Sequence, residues 1–182
     1  YPCCYFSHTS IAGTAALVDE HDVNPEDIER IQVQVAQGAA DALHHADPET
    51  GLEAKFSMEY TVASAAVRDR VGLNAFDDDA IDDPVVQRVR ERVDFAVDDA
   101  LDYDSHEASV RIDTTADGYE RLQENPPGTH DNPLTDAQLR TKFDACARRA
   151  VTEETADALA AVFTDLVDCD DIAAAVRDAA RP

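Results

Sequence analysis

The sequence predicts an α+β protein, and three observations carry that expectation. Ile31, Val33 and Val35 alternate with Arg30, Gln32 and Gln34, the pattern of a half-buried strand. Asp117-Gly118 separates two further alternating runs, His106 to Thr115 and Tyr119 to Gln123, as a hairpin does. After Pro133 alternation disappears and only helical spacing remains.

Taken in order, Thr9 to Val18 reads as a helix: Ile11, Ala12, Ala15, Ala16 and Leu17 share its apolar side, and Thr9 or Ser10 can cap it. The first strand follows over Ile28 to Val35. Gly38 to Gly51 reads as an irregular loop or short helix. Leu52 to Asp69 is expected as one helix, with Phe56, Tyr60, Ala63 and Val67 on a stripe and Gly72 just beyond it. Phe76 to Asp83 is an acidic loop, and Pro84 suits the first turn of a helix reaching about Arg92. Val93, Phe95 and Val97 give a second strand ahead of the hairpin. Thr135, Thr152 and Asp170 each precede a helical apolar pattern: Leu139 and Phe143, then Ala156, Leu159 and Phe163, then Ile172 and Val176. The expected organisation is a mixed segment with an antiparallel sheet over 1–130 and an all-helical segment over 131–182.

Composition narrows the partners. The 182 residues carry a formal charge of -24, with 39 acidic side chains against 15 Lys and Arg. Such a surface repels nucleic-acid phosphates and anionic lipid, so neither is an expected partner. Hydrophobic residues make up 44% in periodic blocks, which favours a folded protein with a solvated acidic shell over a disordered chain. That shell suits a salt-rich cytoplasm, where screening suppresses self-repulsion. No run has the length of a membrane span. Cys3, Cys4, Cys146 and Cys169 lack zinc-type spacing and read as reduced thiols of a cytoplasmic protein. A start on Tyr1, directly into structured-looking sequence, reads as part of a longer protein.

Few residues carry chemistry. His44-His45 are adjacent and point apart on any regular element, so no metal site is expected. The aspartate runs at 77–79 and 82–83 fit no EF-hand spacing, and six scattered glycines build no phosphate loop. What stands out is Gly51-Leu-Glu-Ala-Lys-Phe-Ser-Met-Glu-Tyr60, which places one of only two lysines beside a hydroxyl and a phenol. Tyr60 is either a hydrogen-bonding phenol or a core aromatic stacked on Phe56. Lys55 either grips a carboxylate or pairs with Glu59, a surface interaction of about 0.3–0.5 kcal/mol. The opening Tyr1-Pro-Cys-Cys-Tyr-Phe-Ser-His8 sets an imidazole at a helix start, available as acid or base or as a structural hydrogen-bonding group.

These two stretches, with Val71-Gly-Leu, Asp83-Pro84, Asn125-Pro-Pro-Gly128 and Asp131-Asn-Pro-Leu-Thr-Asp-Ala-Gln-Leu-Arg-Thr-Lys-Phe143, resemble the C-terminal part of the MmgE/PrpD family, which includes 2-methylcitrate dehydratase and cis-aconitate decarboxylase. The resemblance implies that 1–130 is a small lid domain and that 131–182 are helices of a larger helical domain whose remainder lies elsewhere. It implies a cofactor-free, dimeric lyase acting on a di- or tricarboxylate, most like 2-methylcitrate dehydratase of propionate catabolism. It makes Tyr60 and His8 catalytic, and Lys55, Cys4 and Ser57 substrate-binding. Lys55 aligns with an arginine in some relatives, and Phe56 stands where some carry His. Cys4 stands where decarboxylase-like members carry His, which argues against decarboxylation. A carboxylate-binding or interaction module without catalysis is the alternative.

Overall fold

The computed structural model describes residues 1–180, so Arg181 and Pro182 of the expected 131–182 segment lie outside the described residues. Two compact units are present, Tyr1–Pro133 and a second beginning at Leu134. The fold is α+β.

In the first unit a helix, α1 (His8–His21), precedes strand β1 (Ile28–Val35). A helical crossover follows, made of α2 (Gln37–Ala42), α3 (Gly51–Ala54), α4 (Met58–Val67), α5 (Asp78–Ile81) and α6 (Pro84–Arg90). It leads to β2 (Val93–Val97), and then β3 (Ala108–Thr114) and β4 (Gly118–Gln123) form the hairpin. The strand order is β2-β1-β3-β4. β1 runs antiparallel to β3, pairing Val33 with Val110, and parallel to β2, pairing Val33 with Phe95. The sheet is therefore mixed rather than wholly antiparallel. A crossover of this length returns the chain to the end where β1 began, and only a parallel partner can be reached that way.

One sheet face is dry. Ile31, Val33, Val35, Val110 and Ile112 are buried there, and α1 packs on β3 and β4 while α4 packs on α1, α6 and β2. The other face carries Arg30, Gln34, Asp94, Arg111 and Glu120 in solvent. α4 is buried on all sides, from Tyr60 through Ala66, so its small residues are packing surfaces. α1 lies close on the sheet at Gly13, where a Cβ would meet the Val110 side chain at 3.1 Å.

The expected helix over Leu52 to Asp69 is broken. Ser57 sits in an extended conformation (φ -113°, ψ 121°) and its hydroxyl accepts the Tyr60 amide, so it caps α4 and ends the preceding turn. Lys55 and Phe56 consequently lie in a bend between α3 and α4. Phe56 is 38% exposed, so Tyr60 packs instead on Phe76, with ring centroids 6.0 Å apart.

The second unit holds α7 (Asp136–Ala147), α8 (Glu153–Thr164) and α9 (Ile172–Ala179). Thr135 and Gln138 form a reciprocal capping box on α7, and Thr152 caps α8. The cap of α9 is Asp171, one residue later than expected. Phe143 and Phe163 meet edge to face at 5.8 Å between α7 and α8.

Gly51, first residue of α3, is held against Phe76, and a Cβ there would collide with the Phe76 carbonyl oxygen. Backbone cannot yield as a flexible side-chain tip can. Gly51→Ala is therefore expected to destabilise the first unit by about 1–3 kcal/mol. Chemical denaturation measures this, and an unchanged midpoint would refute the contact.

Candidate active site

The N-terminal residues form a strap across the α3–α4 bend. Pro2 and the 3-10 turn Tyr5–Ser7 fold the segment back on itself: the Ser7 amide donates to the Cys4 carbonyl at 3.1 Å and the Ser7 hydroxyl to the same oxygen at 2.8 Å. The Cys4 amide then donates to the Lys55 carbonyl at 2.9 Å, tying strap to bend. From the other side of the bend, the His45 amide donates to the Phe56 carbonyl at 3.3 Å. The break in the helix is what frees these two carbonyls, since neither is consumed by an intrahelical bond.

His8 is the first residue of α1, and its Nε2 lies 3.2 Å from the Cys3 carbonyl. A carbonyl only accepts, so Nε2 carries a proton in this contact. Tyr1 and Tyr5 flank the imidazole with centroids at 5.2 and 5.1 Å. Burial pushes the Tyr1 phenol up to about 12; the Cys3 thiolate adds to that rise, and Arg70 opposes it. Burial also pushes the Cys3 thiol up, against the hydrogen bond from Ser7 and the positive charge of Lys55. Tyr1 and Cys3 are thus protonated donors at neutral pH.

The Lys55 ammonium lies over the Phe76 ring at 5.8 Å from its centroid. No Lys55–Glu59 ion pair forms among the described residues; the bend turns the two side chains off a common helical face. Ser57 is fully buried, and its hydroxyl caps α4. Tyr60 is fully buried too. Its hydroxyl donates to the Ala75 carbonyl and approaches that of Ala80 at 3.3 Å, while Arg68 donates to the same Ala80 oxygen at 3.0 Å. Desolvation by burial raises its pKa, outweighing the lowering by the Ser64 and Arg68 side chains. The phenol faces the core in this arrangement.

The strap and bend therefore bring together Cys3, Cys4, Ser7, His8 and Lys55, while Tyr60 and Ser57 stand behind them as supports. A groove of about 720 Å³ lies elsewhere in the first unit, between the C-terminal halves of α1 and α4, lined by Ala15, Ala16, Val18 and Ala66 with Asp19, Arg68 and Asp69. It holds none of the five residues singled out from the sequence, so the strap and bend, which carry them, form the candidate site. Among the described residues no group of three His, Cys, Asp or Glu side chains is placed to hold a metal ion, and all four cysteines are free thiols. No described helix is long and apolar enough to cross a membrane.

One residue here was not singled out from the sequence. His106, just ahead of β3, packs against Tyr5 at 4.5 Å and Phe6 at 4.8 Å. A lone histidine before a strand carries no sequence signal of such a neighbourhood.

The MmgE/PrpD C-terminal domain matches residues 1–167. The chain belongs to the MmgE/PrpD family. It is also 24% identical over 178 residues to a cis-aconitate decarboxylase from Mus musculus, covering 92% of this chain. It spans 36% of the length of that curated relative. Family membership extends through both compact units and covers the strap, the bend and the helices α7 and α8.

Two outcomes check this geometry. Tyr60→Phe removes the donor to the Ala75 and Ala80 carbonyls and should cost about 1–3 kcal/mol with an unchanged denaturant slope. Cys3, whose raised pKa leaves little thiolate, should be alkylated more slowly than exposed Cys146 at about pH 8, gaining rate only as the solution becomes more alkaline. Equal rates, read by mass spectrometry of the two peptides, would contradict the buried thiol.

Proposed function

We propose that this chain supplies one wall of a lyase site acting on a di- or tricarboxylate, with water elimination of the 2-methylcitrate dehydratase type as its reaction. The observation that carries this reading is the Cys4 amide to Lys55 carbonyl bond, which fixes a cation and the His8 imidazole on joined segments. Elimination beside a carboxylate needs such a pairing. Lys55 neutralises the carboxylate. His8 takes a carbon-bound proton, and the C–H electron pair becomes the new double bond as the C–O bond breaks. The departing hydroxyl needs one proton, and the imidazolium has just gained one, so its return releases water and restores His8. Tyr1 and Cys3 supply neutral hydrogen-bond donors. Tyr60 serves by holding the segment that carries Phe76 beneath Lys55.

Remaining contacts to substrate belong, on this reading, to a helical domain that completes the cleft in a cytoplasmic homodimer, with no cofactor required. Cys4 supports elimination over decarboxylation: its thiol cannot replace the charged or proton-carrying imidazole that decarboxylase-like relatives hold there. One observation favours the second reading, a carboxylate-binding module without catalysis: the Tyr60 phenol is spent within the core.

The reading is tested in a protein that carries this chain together with the further length found in its relative. Dehydration of 2-methylcitrate is followed by ultraviolet absorbance of the conjugated product. His8→Asn should lower kcat by about 10²–10⁴-fold. Lys55→Met should act mainly on KM, about 10–100-fold, as a lost charged hydrogen bond does. Release of carbon dioxide from cis-aconitate without dehydration of 2-methylcitrate would overturn the reaction proposed, and tight binding with no turnover of either would establish the module.

A further inference from the structure

We infer that His106 is a second imidazole of the candidate site, a hydrogen-bond donor that reads the same carboxylate ligand as His8 and Lys55; this rests on the reading just proposed. Two features place the ring. Its backbone carbonyl accepts the Thr9 hydroxyl, so the loop ahead of β3 is pinned to the residue next to His8 on α1. Its ring lies against Tyr5 at 4.5 Å, and Tyr5 lies against His8 at 5.1 Å. Tyr5 is thus a shared wall, 43% exposed, and one polycarboxylate lying along it can reach both imidazoles.

The state of the ring follows from its surroundings. Nδ1 of His106 is buried and has no hydrogen-bond partner, while the residue as a whole is half-buried. A proton on Nδ1 would be a buried donor with nothing to bond. With Nδ1 buried and unpartnered, the ring carries its proton on Nε2 and donates from that edge. An imidazole fixed in this tautomer can donate to a carboxylate or to a departing hydroxyl, but cannot abstract a proton through the edge it presents. His8 has its Nε2 committed to the Cys3 carbonyl. On the reading proposed above, His8 takes the proton and His106 holds the anion.

Nitrogen-15 spectra of the histidine rings at neutral pH test the assignment, recorded with and without citrate as the probe in the longer protein that carries this chain together with the further length found in its relative. The expected result is an Nε2–H tautomer at His106, with citrate shifting the signals of His106, His8 and the Lys55 ammonium together. His106→Gln places an amide nitrogen near Nε2 and should retain citrate affinity. His106→Asn, whose nitrogen mimics Nδ1, and His106→Phe, which keeps the ring packing, should each weaken it about tenfold. A proton found on Nδ1 overturns the inference. So does full affinity in the Asn and Phe variants while His8 and Lys55 still respond, and that outcome leaves the proposed function standing. If citrate moves none of the three residues, the proposed function falls and this inference with it. The tautomer and the citrate shifts need no variant, so they decide the matter even if a substitution unfolds the protein.

Discussion

A single hydroxyl organises the first unit. Ser57 accepts the Tyr60 amide, and in doing so it stops one helix and starts another. An uninterrupted helix would spend the Lys55 and Phe56 carbonyls on its own amides. Broken at Ser57, it offers them to Cys4 and to His45, and two distant parts of the chain are sewn to the bend. A cap of this kind stabilises a helix by about 0.5–2 kcal/mol. Its larger effect here is geometric, because the strap, the imidazole at the start of α1 and the ammonium at the bend all take their positions from it.

Behind that surface lies a second polar knot, made from the buried Tyr60 phenol, two backbone carbonyls and Arg68, which also pairs with Asp83 at 3.3 Å. The Ala75 and Ala80 carbonyls bracket the acidic residues 77–79, which the structure folds into the start of α5 rather than into the loop expected over Phe76 to Asp83. Without partners they would be costly to bury, and with them this segment is fastened to α4. Asp83 then caps α6 by accepting the Val85 amide at 2.9 Å. One aspartate from the acidic stretch is therefore structural, although composition alone makes it look like solvated surface.

Much of the architecture was legible in the chain. Alternation at 31–35, the Asp-Gly turn and the threonine caps at 135 and 152 are local signals, and local hydrogen bonding honours them. The parallel pairing of β1 with β2 was not legible, since register between strands sixty residues apart depends on where the crossover returns. The bend at Lys55 was hidden for another reason: apolar spacing ran straight through it, and only the competition of the Ser57 hydroxyl for the Tyr60 amide breaks the helix. Of the candidate site, Lys55 and His8 could be singled out by residue type and Cys4 by the family resemblance, whereas His106 could not. Its neighbourhood is created by a tertiary contact between a loop and the second residue of α1. Tyr60 shows the limit of residue type, since a phenol's chemistry depends on which way it faces.

The sheet that supports all this is wet on one side, and among the described residues its outermost ribbons, β2 and β4, each pair with one strand only. A passing strand from another molecule could in principle extend it. β2 is only five residues long and runs out into Asp98 and Asp99, while β4 sets Glu120 and Arg121 along its border. Any newcomer would have to bury those charges to gain a few backbone bonds, so the acidic shell also guards this protein against fibrous self-association.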